Sequence, residues 1–313
     1  MSAQFHDPAK ISVVICTRNR GGGAANSVKS VLDNNFPALD LVVVDQSDDD
    51  NTQLSLAQFD SLRDFHYIRS SSVGLSAARN IGLEAACGDI VLMTDDDCLV
   101  PNSWVQEMSS AVEGSDFVGL VFGNVHAPVT EEGYSTPISI QTESFTVHGL
   151  RTWRAADGVN IGIGASMAMR RSVVLSIGGF DSMLGAGARF HSAEDTDMSV
   201  RMLLRGYKVV RLSGASVEHL GARSYLEGRR LIRESMYGVG ACYGKLLRCR
   251  HYWLLIQVWR IYWSMLIRPT GEALVRLRRP PIWGRLQYLH KGLLAGLRTP
   301  VDLDNEVFAE LPD

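Results

Sequence analysis

Three short runs of β-branched and aliphatic residues stand out: ISVVICT (11–17), LDLVVVD (39–45) and DIVLM (89–93). Their apolar positions are continuous rather than alternating, the pattern of strands buried on both faces. FHYIRS (65–70) reads as a weaker strand. Between these runs lie segments of helical length: AANSVKSVLDN, which follows the turn RNRGGG, and GLSAARNIGLEAACG (74–88), which Gly88 is expected to close. Pro101 is expected to open a further helix. Strands alternating with helices predict βαβ units and a largely parallel sheet covered on both faces. Ligands of such sheets bind beyond the carboxyl ends of the strands. Thr17, Asp45 and the triplet Asp95, Asp96 and Asp97 all fall at such ends, so they are expected to line one crevice.

From about residue 117 the texture changes. FVGLVFGNVHA and GASMAMRRS read as strands, and the polar stretch 128–160 between them as a long loop near the site. SAEDTDMSVRMLLRGYKVV (192–210) predicts a helix opened by Ser192 and two acids, closed at Gly206 and followed by a strand. Acids in a first helical turn suit the macrodipole. The last third is mostly helical. YWLLIQVWRIYWSMLI (252–267) is too short to span a bilayer. RLRRPP (276–281) and WGRLQYLHKGLLAGLR (283–298) follow, with basic and apolar residues alternating at helical spacing. That composition fits a membrane interface, and equally a helix pair packed on the main domain.

Charge sharpens the division. The chain has 313 residues and a net charge of −3, yet residues 201–300 carry 19 Lys and Arg against 4 Asp and Glu. The first 200 residues are correspondingly acidic, with 12 against 25. A basic region of that size suggests an anionic partner. The five cysteines contain no C-x-x-C pair, which argues against a disulfide framework or a thiolate zinc site and for a reducing compartment. The N-terminus lacks an apolar signal region, so the expected location is cytoplasmic, peripheral on the inner face of the membrane.

The triplet exceeds what a turn or helix cap uses, because three adjacent carboxylates repel unless a cation sits among them. Such a group suits Mg²⁺ or Mn²⁺, hard cations that prefer oxygen ligands and share their shell with substrate phosphates. Asp45, roughly twenty residues past a glycine-rich turn, would also suit the ribose of a dinucleotide. GGGAAN, however, lacks the third glycine of that fingerprint, and such a reading leaves the triplet without a role.

The succession SVVICTRNR, LVVVDQSDDD, GLSAARNIGLEAACGDIVLMTDDDCLVP and SAEDTDMSVRMLLRGY resembles family 2 glycosyltransferases. The resemblance covers about residues 11–220. It implies an α/β GT-A fold, a Rossmann-like, mostly parallel sheet, here with a helical C-terminal extension. It implies a metal-dependent, inverting transfer from a nucleotide-diphosphate sugar. Thr17, Arg18, Asp45, Arg79, Asp95 and Asp96 would bind the donor nucleotide. Asp95 and Asp97, with His219, would hold Mn²⁺ or Mg²⁺. Asp195 would be the general base, and Glu194 would bind the acceptor. Two departures are Thr94 in place of an acid, and Gln46, which leaves the base of the nucleotide open. Arg151, Trp153 and Arg154 are further candidates for acceptor or phosphate contacts.

The expected organisation is a catalytic domain over 1–220, with a nucleotide-binding half (10–115) and an acceptor-binding half (116–220), followed by a basic helical region (221–313). Expected partners are the donor, a glycan, lipid-linked or small-molecule acceptor, a membrane surface and a second copy of the chain. Nucleic acid is not expected. The alternatives are an NAD-type oxidoreductase and a catalytically silent sugar-binding protein of the same fold.

Overall fold

A computed structural model describes residues 10–34, 36–37, 39–128, 134–135, 138–149, 161–263 and 282–309. Arg151, Trp153, Arg154 and the RLRRPP segment with Arg276, Arg278 and Arg279 lie outside the described residues.

The first half contains β1 (Ile11–Thr17), α1 (Gly23–Leu32), β2 (Leu39–Asp45), α2 (Asn51–Leu56), β3 (Phe65–Arg69), α3 (Leu75–Ala85), β4 (Ile90–Asp95), β5 (Cys98–Leu99) and α4 (Trp104–Glu113). Next come β6 (Val118–His126), β7 (Tyr134–Ser135), β8 (Phe145–Val147), β9 (Ser166–Arg170), α5 (Arg171–Ser176), α6 (Glu194–Leu204) and β10 (Lys208–His219). The chain ends with β11 (Arg223–Ser224), α7 (Tyr225–Arg248), α8 (Ile282–Arg298) and a hairpin of β12 (Val301–Asp302) and β13 (Val307–Phe308).

One nine-stranded sheet runs in the order β3-β2-β1-β4-β9-β6-β10-β5, with β8 also on β10. β1 to β4 are mutually parallel, β9 is antiparallel to β4 and β6, and β10 is parallel to β6. The continuous apolar runs have the expected cause. On β1, Ile11, Val13 and Ile15 join one core with residues of α1 and α4, whereas Val14 faces the other, with residues of α3, α6 and α7. Side chains alternate across a strand, so a strand covered on both faces needs apolar residues at every position.

Several boundaries differ from the sequence expectation. α3 ends at Ala85, and Gly88 instead lets the bend before β4 approach the start of β1, since a Cβ there would come within 2.6 Å of Lys10 O and Ser12 N. α4 begins at Trp104, whose N–H closes a turn onto the carbonyl of Pro101. Ala193, with φ +76°, caps α6 in place of Ser192, and that helix ends at Leu204. The short helix α2 has no counterpart in the sequence expectation. Within 128–160 the described residues include the strands β7 and β8.

The C-terminal helices share the sheet's core through Val239, Cys242, Tyr243, Leu246 and Leu289. α7 and α8 cross with their backbones in contact. A Cβ on Gly240 would lie 2.1 Å from Leu289 O, and one on Gly292 would lie 2.0 Å from Tyr237 O. A buried ion network ties these helices to the rest. Lys245 Nζ lies 2.7 Å from Asp181 and 2.6 Å from Asp197, and Arg201 Nε lies 2.9 Å from Asp197. Arg201 also donates to the carbonyls of Ile177 and Gly179, and Asp181 accepts from the N–H of Phe308.

Candidate active site

Strand register assembles the crevice. Thr17 pairs with Asp45 across β1 and β2, and Cys16 with Asp95 across β1 and β4, so three strands end on one line. After Asp95 the chain turns through Asp96 and Asp97 into β5, which pairs antiparallel with β10 and places Cys98 opposite His219. Leu220 N–H then donates to Asp97 O. The resulting cavity, about 270 Å³, is lined by residues that include Thr17, Arg18, Arg20, Gln46, the three aspartates and His219.

The electrostatics favour a cation. Asp95, Asp97, Cys98 and His219 each offer a ligand atom, all within 4.8 Å of one another. Cys98 is a poor member of that set, because burial pushes its thiol well above the ordinary range and a protonated thiol does not bind a hard cation. The remaining set of two carboxylates and an imidazole fits Mg²⁺ or Mn²⁺. Burial raises Asp95 and lifts Asp96 to about 6, with nearby basic groups opposing the rise. His219 Nδ1 accepts from Gly221 N–H, which leaves Nε2 facing Asp97 at 3.5 Å. Arg20 bridges Asp96 (3.0 Å) and Asp97 (2.5 Å), a partial answer to the repulsion of the triplet. The Thr17 hydroxyl is buried beside Asp96 without a hydrogen bond of good geometry among the described residues.

The second pair of acids arrives from the far side of the sheet. α3 holds the loop that carries them: Asn80 donates to Phe180 O and accepts from Phe180 N–H, Ser76 donates to Leu184 O, and Leu75 N–H donates to Ala186 O. Gly74 (φ +114°) and Gly187 (φ +77°) lie in contact where that loop meets α3. Arg79, buried on α3, spans the two acid groups, 3.2 Å from Glu194 and 3.7 Å from Asp95. A Cβ on Gly164 would lie 2.4 Å from its guanidinium, so a larger residue there would push Arg79 from its place between the acids. Burial, with Asp195 adding to it, raises Glu194 to about 7 against the pull of Arg79. Asp195 is buried, and its carboxylate accepts the Thr196 N–H at 2.6 Å.

Of the residues singled out from sequence, Thr17, Arg18, Asp95, Asp96, Asp97 and His219 line the crevice, whereas Arg79, Glu194 and Asp195 stand behind it, Arg79 in contact with both Asp95 and Glu194. Arg18 lies at the rim, 3.5 Å from Asp48. Asp45 is fully buried beneath the cavity, where it accepts from Ser47 and from the Tyr67 hydroxyl at 2.6 Å, and its neighbour Gln46 lines the cavity. Arg20, Asn80 and Arg223 escaped the sequence reading. Arg20 was visible in TRNR, but nothing local tells it apart from a turn residue.

A family model described as glycosyl transferase family 2 matches residues 12–178. A glucosyl-dolichyl phosphate glucuronosyltransferase of Haloferax volcanii is 24% identical over 67% of this chain and 69% of its own length. The glycosyltransferase AglE of the same organism is 26% identical over 58% of this chain and 59% of its own length. Among solved structures, the mannosyltransferase PcManGT from Pyrobaculum calidifontis, in complex with GDP-Man and Mn²⁺, superposes with a TM-score of 0.60 at 17% identity, over 93% of this chain and 87% of that one. Residues 1–349 of S. aureus TarS, in complex with UDP, give 0.54 at 17% identity, over 74% and 65%. Both are GT-A glycosyltransferases, and the likeness establishes that fold.

Proposed function

The chain belongs to glycosyl transferase family 2, and from that premise we propose that it moves a sugar from a nucleotide-diphosphate donor to an acceptor hydroxyl with inversion. The observation that carries this reading is the link, through Arg79, between a hard-cation ligand set in the crevice (Asp95, Asp97, His219) and the buried acid pair that opens α6 behind it (Glu194, Asp195), Arg79 contacting Asp95 and Glu194. The Mn²⁺ bound by PcManGT supports it. A divalent cation, Mn²⁺ or Mg²⁺, would neutralise the charge that develops on the departing diphosphate. Arg20 adds a second positive group at the same place, and Thr17 offers a hydroxyl to the phosphates or ribose. Asp45 holds the Ser47 turn, so Gln46 is the group that meets the nucleotide base. Asp195 takes the proton of the attacking hydroxyl, and Glu194, charged only above about pH 7, hydrogen-bonds the acceptor. Cys16, a crevice nucleophile by chemical type, is pushed up to about 12 by burial and stays a thiol, which supports a single displacement.

We further propose that 1–220 carries the transfer and that the C-terminal region lies against a membrane. The described residues hold no helix long and apolar enough to cross one. Tyr252, Leu255, Ile256, Trp259 and Trp263 are nevertheless exposed along one segment, the composition of an interfacial surface. The dolichyl phosphate substrate named for the Haloferax relative agrees with a lipid-linked acceptor.

The test is a panel of nucleotide sugars with Mn²⁺ or Mg²⁺ and no acceptor. Slow metal-dependent hydrolysis of one or a few donors is expected, and no turnover of any donor with either metal would overturn the reading. With the donor known, Asp195→Asn is expected to keep donor affinity and lower transfer roughly 10² to 10⁴-fold. Transfer surviving within a few fold would move the base to Glu194.

A further inference from the structure

A second cavity, larger than the catalytic one at about 470 Å³, lies on the other side of the loop that leads into α6. That loop gives Ala186 and Gly187 to the catalytic crevice, and two and four residues later it gives Arg189 and His191 to this cleft. Two residues of chain span at most about 7 Å, so the two cavities share a wall. The opposite walls are α7, with Arg230, Arg233 and Tyr237, and α8, with Tyr288 and Lys291.

The charge of the cleft is uncompensated. The one acid among its described lining residues, Glu234, is paired with Arg230 at 2.7 Å. Arg189, Arg233 and Lys291 have no carboxylate within ion-pair distance among the described residues. Arg233 and Lys291 instead flank the Tyr288 ring, at 5.9 and 5.6 Å from its centroid. Like charges gathered on one ring repel, so this arrangement is stable only where water or an anion answers it.

The walls are also held rigidly, which a merely solvated helix face does not require. A Cβ on Gly238 would lie 2.6 Å from Ser192 O, which shows α7 pressed onto the catalytic loop, and the Gly240 and Gly292 contacts lock α8 onto α7. Cationic side chains on three joined elements, with two tyrosine rings among them, form a cradle for a group with several charged oxygens. Guanidinium and ammonium groups bind phosphate oxygens strongly.

We propose that this cleft binds the phosphate or diphosphate of a phosphorylated acceptor, lipid-borne or free, and so presents the acceptor's hydroxyl to Asp195. This names the acceptor class and rests on the transferase reading.

The experiment is titration calorimetry at low salt with EDTA present, using inorganic pyrophosphate and geranyl diphosphate as probes. The crevice also carries Arg18, Arg20 and Arg223, so the double variant of the cleft tells binding there from binding in the crevice. The wild-type chain is expected to bind both with one-to-one stoichiometry, and Arg233→Ala/Lys291→Ala at least tenfold more weakly. Both substituted residues are exposed, so the double variant should keep the wild-type melting temperature and its Mn²⁺-dependent donor hydrolysis. A much stronger hold on geranyl diphosphate would assign the site to lipid-borne acceptors, and equal holds to the phosphate group alone. The proposal is overturned if neither probe binds or if the double variant binds as the wild type does. It is equally overturned if these residues are needed only for binding phosphatidylglycerol vesicles, which would make the cleft part of a membrane surface. Donor hydrolysis needs metal and this binding does not, so either reading can fail while the other stands.

Discussion

Two carboxylates two residues apart on α6 meet opposite fates. Asp195 lies beside Glu194 and near Arg79, and Asp197 lies in the buried network on the other side of the helix, as a rotation of roughly 200° over two residues requires. Burial alone would raise Asp197, but Lys245 and Arg201 more than offset it and hold its carboxyl below the ordinary range. The network contains two acids and two bases, each in contact with an opposite charge. The crevice holds Asp95, Asp96 and Asp97 with Arg18, Arg20 and Arg223, and Glu194 and Asp195 lie behind it near Arg79; there burial wins, and Asp96 rises to about 6 and Glu194 to about 7. A balanced cluster buried by the fold needs no ligand, whereas an acid surplus facing a cavity is stabilised by what binds there.

The strongest test of that contrast removes a charge from the balanced side. Lys245→Met leaves Asp181 and Asp197 buried with one base between them, and should cost about 3–5 kcal/mol of stability in urea unfolding. A cost within 1 kcal/mol would mean that the network is not what joins α6, α7 and the terminal hairpin.

Asp97→Ala removes a charge from the unbalanced side and should leave stability unchanged or higher. Its effect should appear in ligation. At a hundredfold excess of nucleoside diphosphate over Kd, the Mn²⁺-dependent protection of about 2.7 kcal/mol expected of the wild type should vanish. Retained metal-dependent protection would assign the metal to other residues.

Glu194→Gln separates the two clusters by pH. Folding moves Glu194 from 4.5 to about 7, so between those values the folded chain holds a proton that the unfolded chain has lost. Stability therefore falls as pH rises through that window, and the full cost is present above about 7. The glutamine variant escapes the cost, and should unfold at higher urea than the wild type at pH 8 while matching it near pH 4. A gap independent of pH would contradict the raised value. Smallest is the effect of Arg20→Ala. This half-exposed residue competes with a cation for Asp96 and Asp97, so Mn²⁺ alone should bind a few fold tighter in calorimetry, under 1 kcal/mol. Weaker Mn²⁺ binding would show that Arg20 organises the acids instead of competing for them.

By itself the amino-acid sequence determined the elements and chemistry whose causes are local. β1, β2 and β4 are legible because strands covered on both faces need unbroken apolar runs, and the acids that follow Thr94 are legible because three adjacent carboxylates repel one another unless positive charge lies among them. Four motifs in order pointed to the family, since each carries residue types that its position in such a sheet demands. Only the tertiary structure decided what depends on partners distant in the chain. Arg20 meets Asp96 across 76 residues and Arg79 meets Glu194 across 115. Asp45 turned inward to Ser47 and Tyr67, and Gly88 proved to be where the bend before β4 touches the start of β1 rather than the end of a helix. Neighbouring acids such as Asp195 and Asp197 look alike in the sequence. Which of them joins the buried network depends on what packs against each face of α6, and for Asp197 that is Lys245 of α7.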